Sequence, residues 1–255
     1  MKPVLLIVDD NEEILDFLED DLNEKYTVFK AFDGQQALNI LMEENIQLVI
    51  SDVMMPVIDG FELCRRIKSN LEMSHIPIIL LTAKNTLQSK IDGLEMGADA
   101  YIDKPFSPEH LQVQIANLLM NRNKIKAYYA NTPLVHINSM AHTKADEHFL
   151  EELNDVVHAH IEDTLLDVEQ LARLMNVSRP TLYRKLKAIS DLSPNEIINI
   201  TRLKKAAVLF TEGIYNINEI AEKVGYTSAT AFGRNFQKQF GMTASEFMKR
   251  KEGAG

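Results

Sequence analysis

A chain of 255 residues is long enough for two domains with separate cores, and a composition 45% hydrophobic and 25% charged, with 10 Gly and 8 Pro, excludes collagen-like, low-complexity and disordered classes. The longest apolar runs, residues 4–8 and 76–81, are too short to cross a bilayer, and Asp9-Asp10 interrupt any secretory leader. Cys64 is the single cysteine, which excludes an intramolecular disulfide, suits a reducing cytoplasm and reads as a small buried residue.

The net charge of −10 argues against nucleic acid only until it is divided along the chain. Residues 1–120 hold 9 Lys and Arg against 21 Asp and Glu, whereas residues 171–255 hold 14 against 7. Between them, 121–145 carry 4 basic residues and no acid, and 146–170 carry 9 acids and no Lys or Arg. An acidic front joined to a basic tail is expected when only the tail meets phosphates.

In chain order, β-branched runs at 4–8, 27–31, 48–51, 76–81 and 100–102 predict strands. Amphipathic stretches at 11–23, 34–44, 60–69, 87–96 and 108–119 predict helices. Five such β-α units read as a doubly wound α/β fold with a five-stranded parallel sheet, and the near-continuous apolar strands suit a sheet covered on both faces. The predicted domains are 1–120, a polar linker or partly helical connection at 121–145, and an all-α domain at 146–255.

Ligands in an open parallel sheet sit beyond the carboxyl ends of the strands. Those ends carry Asp9 and Asp10 after the first strand, Asp52 after the third, Thr82 after the fourth and Lys104-Pro105 after the fifth. Carboxylates about 4 Å apart repel by roughly 4 kcal/mol at an effective dielectric near 20, so the cluster calls for a cation. With oxygen donors only, the fitting metal is hard, such as magnesium. A carboxylate is also a competent nucleophile for phosphoryl transfer. Asp10-Asn11-Glu12 also fits a simple helix start and Asp59-Gly60 an ordinary turn, and Asp33-Gly34 reads as a turn only.

The segments Leu6-Ile7-Val8-Asp9-Asp10, Ser51-Asp52-Val53-Met54-Met55-Pro56-Val57-Ile58-Asp59-Gly60, Leu81-Thr82-Ala83 and Lys104-Pro105-Phe106 resemble the flavodoxin-like receiver domains of two-component signalling. The resemblance implies that a sensor histidine kinase phosphorylates Asp52, and that Asp9, Asp10, Asp52 and the Met54 carbonyl arrange magnesium. It further implies that Lys104 contacts the phosphate, that Thr82 and Tyr101 report phosphorylation, and that the peptide before Pro105 is cis. The stretch Ser74-His75-Ile76-Pro77 through Lys84 also resembles receiver parts of hybrid sensor-regulators.

In the second half, helices are predicted at 168–175, from the Ser178 cap to about 189, at 194–211, at 217–224 and at 228–240. Aligning Ser178 with Ser228 pairs Leu182 with Phe232, Arg184 with Arg234, Leu186 with Phe236 and Ser193 with Thr243; Leu171-Ala172 pairs with Ile220-Ala221 after a one-residue shift. Two tandem helix-turn-helix units follow. Leu182, Leu186 and Ile189 form the inner face of the first reading helix and leave Arg179, Thr181, Tyr183, Arg184 and Lys187 for DNA. Phe232, Phe236 and Phe240 do so in the second and leave Ala229, Thr230, Arg234 and Lys238. A solvated basic face, or a structural role for the equivalent Arg184 and Arg234, is the plainer reading of these charges. The scattered histidines read as surface residues.

Arg202-Leu203-Lys204-Lys205-Ala206-Ala207, Ile220 to Tyr226, and Phe232-Gly233-Arg234-Asn235-Phe236 resemble the AraC-type DNA-binding domain, with departures at Ala231, Gln237 and Ala244. The expected whole is a phosphorylation-controlled transcription regulator in the cytoplasm, not an enzyme. Its expected partners are a sensor kinase, double-stranded DNA, RNA polymerase and a second copy of the chain, without membrane contact by this segment. The rivals are an aspartyl-phosphate enzyme and a phosphorelay module whose helical tail binds protein.

Overall fold

A computed structural model describes residues 2–83 and 96–252; of the helix predicted at 87–96, residues 87–95 lie outside them. The chain divides into two compact units, Met1–Asn123 and Lys124–Gly255.

The first unit contains strands β1 (Val4–Val8), β2 (Thr27–Ala31), β3 (Leu48–Asp52), β4 (Ile78–Thr82) and β5 (Ala100–Asp103). Helices α1 (Glu12–Leu22), α2 (Gly34–Glu43) and α3 (Gly60–Ser69) alternate with them, and α4 (Pro108–Asn131) follows β5. All strand pairs are parallel, in the order β2-β1-β3-β4-β5. Strand order therefore reverses between β1 and β3, the switch point at which such sheets bind ligands. Successive side chains point to opposite faces. Leu5, Ile7, Ile50 and Ile79 pack with α1 and α4, while Leu6, Val8, Val49 and Leu80 pack with α2 and α3. Both faces are covered, which is why the strands are apolar throughout. Asn11, Asp33 and Asp59 cap α1, α2 and α3 through their side chains. Cys64 is a buried residue of α3, and burial pushes its thiol up to about 11, so it is inert.

At the amino end of β4 the Lys68 ammonium, almost fully buried, donates to Asp99 at 2.7 Å and to the Ile76 carbonyl at 2.8 Å. Asp99 also accepts from the Ile78 amide at 2.9 Å and from Arg122 at 3.2 Å. This network fastens α3, the sheet and α4 at the end away from Asp52. Periodicity gave no sign of it, because Lys68 reads as a solvated helix end.

The second unit is helical: α5 (Lys144–Ala159), α6 (Val168–Leu174), α7 (Arg179–Ser190), α8 (Pro194–Glu212), α9 (Ile217–Lys223), α10 (Ala229–Phe240) and α11 (Ala244–Glu252). The segment at 121–145, read as a linker or a partly helical connection, is partly helical. Helix α4 runs on to Asn131, a 3-10 turn covers Ile137–Met140, and Tyr129, Ile137 and Met140 are buried. The Lys204 ammonium lies 4.3 Å from the Tyr129 ring and donates to the Thr132 carbonyl at 2.5 Å and the Val135 carbonyl at 3.0 Å. Burial draws this lysine down to about 8. A few apolar residues spaced along a polar segment are enough to seat it once a neighbouring helix supplies polar partners.

The tandem repeat is visible in backbone detail. Asn176 and Gly225 provide the left-handed residue of the two turns, at φ 53 and 75. Asp191 and Gly241 end the two reading helices in the same conformation, at φ 59 and 69. Ser193 and Glu196 form a capping box at α8, and Thr243 and Glu246 exchange the same bonds before α11, so Ala244 does not cost that helix its start. A Cβ on Gly225 would lie 2.4 Å from the Ile161 carbonyl oxygen. Gly225→Ala is therefore expected to cost at least about 1–3 kcal/mol, from the left-handed backbone and the clash together. The urea midpoint of the second unit measures it, and an unchanged midpoint contradicts the clash.

Candidate functional sites: an acid–lysine cluster and two basic reading helices

Parallel register sets Val8 beside Ser51, so the carboxyl ends of β1 and β3 deliver Asp9 and Asp52 to one edge of the sheet. Both are nearly buried, at 2% and 7% exposure. The Lys104 ammonium, brought by β5, lies between them, 2.8 Å from Asp9 Oδ2 and 2.7 Å from Asp52 Oδ1. Their other oxygens accept backbone amides: Asn11 on Asp9 and Met54 on Asp52, each at 2.9 Å. Burial alone would lower the Lys104 pKa, but its bonds to Asp52 and Asp9 outweigh that and raise it. The lysine therefore stays charged and offsets the repulsion of the two acids.

Backbone bonds hold the edge in place: Val53 N–H to the Leu81 carbonyl at 3.0 Å, and Lys104 N–H to the Thr82 carbonyl at 2.8 Å. The Lys104–Pro105 peptide is cis. Gly60 stands against the phosphoacceptor candidate, where an added Cβ would lie 2.2 Å from the Asp52 carbonyl oxygen. Only a glycine lets α3 begin there, a constraint beyond the turn signal that Asp59-Gly60 gave.

Asp10 follows Asp9 at the same edge and is exposed. Met54 is exposed as a side chain, and its amide binds Asp52. Thr82 is buried at the end of β4, and Tyr101 is half-buried on β5 with its hydroxyl oxygen buried, packed on the α2–α3 side of the sheet. Among the described residues no group of three or more His, Cys, Asp or Glu side chains gathers as a metal cluster. The sheet edge itself brings together Asp9, Asp52 and Lys104, with Thr82 and Asp10 beside them.

In the second unit, Ser178 and Ser228 cap α7 and α10. Arg179, Arg184, Lys187, Thr230, Arg234 and Lys238 are exposed, and Thr181, Tyr183 and Ala229 are half-buried. The Arg179 guanidinium lies 5.7 Å from the Tyr183 ring. Thr181 accepts from the Ser178 hydroxyl at 2.9 Å, and Lys187 donates to the Asp191 carbonyl at 2.7 Å, closing the end of its own helix. The inner faces are Leu182, Leu186 and Ile189 on α7, and Phe232, Phe236 and Phe240 on α10. Phe236 meets Phe210 edge-on with centroids 5.7 Å apart. The buried pair Lys185–Asp146 went unread in the sequence, since a lysine flanked by Arg184 and Lys187 reads as surface.

Residues 5–116 match the response regulator receiver domain, and residues 171–250 match a helix-turn-helix domain. The first unit thus carries the receiver-domain match, and the second unit carries the helix-turn-helix match. "Histidine kinase P4" of Formosa agariphila is 36% identical over 98% of this chain and 18% of its own length. "Probable transcriptional regulator ycf27" of Guillardia theta is 44% identical over 48% of this chain and 48% of its own. The chain thus spans half or less of the curated relatives it matches. The solved signal receiver domain of a signal transduction histidine kinase from Syntrophus aciditrophicus is 34% identical, covering 47% of this chain and 91% of that one, with a TM-score of 0.45. No described helix is long and apolar enough to cross a membrane.

Proposed function

We propose that this chain is a phosphorylation-controlled, DNA-binding transcription regulator. A sensor histidine kinase transfers a phosphoryl group to Asp52, and this changes sequence-specific binding of double-stranded DNA by the tandem helix-turn-helix units. The observation that carries the reading is the Lys104 ammonium held between two nearly buried aspartates at the switch point of a parallel sheet. In the transfer, the P–N bond of a phosphohistidine breaks, a P–O bond to an Asp52 carboxylate oxygen forms, and the imidazole keeps the electron pair. Lys104 is positioned to follow the incoming negative charge, and Thr82 and Tyr101 are the proposed reporters of it.

Magnesium fits the donor set. Asp9, Asp10 and Asp52 offer only oxygen, and one lysine leaves them short of positive charge. Asp9, Asp52, Asp10 and the Met54 carbonyl would hold the ion, which when bound neutralises phosphoryl oxygens. On this reading the chain is a phosphoacceptor regulator rather than an enzyme, acting in the cytoplasm, with RNA polymerase and a second copy as further partners. The Formosa relative favours a variant in which the same domain pair is a covalent part of a larger sensor kinase.

Selection of bound sequences from random duplex DNA, with and without acetyl phosphate and magnesium, tests the reading. A selected motif whose enrichment depends on phosphorylation is expected, and salt-insensitive absence of DNA binding by the second unit would instead favour a protein-binding tail. On the reading helices, Arg179→Ala is expected to relax base preference. Lys187→Ala is expected to leave preference intact and flatten the salt dependence by about one phosphate contact. Footprints at several salt concentrations separate the two, and identical behaviour removes the distinction.

A further inference from the structure

The two reading helices are fixed in different ways. Helix α10 presents three phenylalanines to a ring cluster: Phe232 meets Tyr226 at 5.4 Å, and Phe236 meets Phe240 at 5.0 Å and Phe247 at 5.8 Å. Interlocked rings of this kind have preferred angles, so they resist rotation of the helix about its axis. Asn235, at the next position, hydrogen-bonds the Tyr226 hydroxyl, which also donates to Asn199.

Helix α7 has no such rings among its buried residues; its apolar inner face is Leu182, Leu186 and Ile189, with Lys185 and Ser190 buried beside them. Burial of aliphatic side chains is non-directional and leaves small rotations and shifts nearly isoenergetic. At the repeat position equivalent to Asn235 stands Lys185, fully buried. Its ammonium lies 2.5 Å from Asp146 Oδ1, also fully buried, in the first turn of α5. The same ammonium is 5.9 Å from the Phe149 ring of that helix. Helix α5 ends before the residues matched by the helix-turn-helix family. A buried ion pair is a poor source of stability beside apolar residues of equal volume, but it tolerates few geometries, since any shift strands a charge away from water.

We propose that the Lys185–Asp146 pair is a positioning device that sets the rotation and register of the first reading helix, so that base preference at the first half of the DNA site depends on α5. This rests on the DNA-binding reading above. Lys185 and Asp146 touch no DNA; they act through Arg179, Thr181 and Tyr183, whose directions follow from the roll of α7.

The test compares the full chain with the double variant Lys185→Met/Asp146→Leu. Sequences are first selected from random duplex DNA with the unaltered chain, and affinities are then scanned with single base-pair changes across the selected site. The double variant is expected to keep its thermal transition and its discrimination at the base pairs read by α10, and to lose about tenfold or more of discrimination at those read by α7. Unchanged discrimination at both sets overturns the proposal. Should the double variant not fold, Asp146→Glu displaces the carboxylate by one methylene and is expected to shift preference at the α7 base pairs alone; no shift there overturns the proposal equally. An unaltered chain that selects no sequence overturns the DNA reading and this inference with it, whereas selection that the variants leave untouched overturns this inference only.

Discussion

Asp52→Asn is expected to remove nearly all phosphate uptake by the first unit. Incubated with radiolabelled acetyl phosphate or phosphoramidate and magnesium, the variant is expected to incorporate label at least about 100-fold more slowly than the unaltered chain. The amide has nearly the shape of the carboxylate, so the fold offers no reason for change: the Met54 amide still finds an oxygen, and Lys104 keeps Asp9 at 2.8 Å. What is lost is the anionic nucleophile. An amide oxygen bonds to phosphorus far more weakly than a carboxylate, and no other carboxylate at this edge has both the burial and the lysine contact of Asp52 except Asp9. Asp20→Asn serves as the control, since it removes an exposed acid of α1 outside the cluster and leaves the proposed acceptor and its neighbours in place. Equal labelling of Asp52→Asn and the unaltered chain means that phosphate goes elsewhere, and the signalling account fails.

Lys185→Met alone is expected to destabilise the helical unit by about 3–5 kcal/mol, because it removes the ammonium paired with the Asp146 carboxylate inside the core. Adding Asp146→Leu should return stability to within about 1 kcal/mol of the starting value or raise it, since replacing both charges with apolar side chains removes the desolvation cost of two ions. The coupling between the two substitutions is therefore large and of opposite sign to simple addition. Hydrogen exchange of the α7 amides reads the stability of this unit separately from that of the receiver unit, which a single two-state fit cannot do. A single-variant cost below about 1 kcal/mol would mean that the pair is hydrated, and the burial argument would collapse.

Local signals were read correctly wherever the physics is local. Strands β1 to β5 follow from short β-branched runs, and the start of α7 follows from the Ser178 cap; Asp33 and Asp59, which read as turn signals, also cap α2 and α3. The repeat was legible because its two copies keep the same inner-face spacing, even though one uses aliphatic residues and the other rings. The acid–lysine edge was legible too, because parallel strand topology sends every strand end to the same side of the sheet.

What the sequence by itself determined is therefore the order of elements, the turns between them and the identity of the groups at the sheet edge. Only tertiary structure decided which charges are buried. Lys185 meets a partner 39 positions away, Lys204 closes a helix end 72 positions away, and Lys68 finds Asp99 31 positions away. A lysine among other charges carries the same local signature whether solvated or enclosed. Its long stem reaches a distant acid or carbonyl only after packing has brought the two together, and no pattern within one helix encodes that distance.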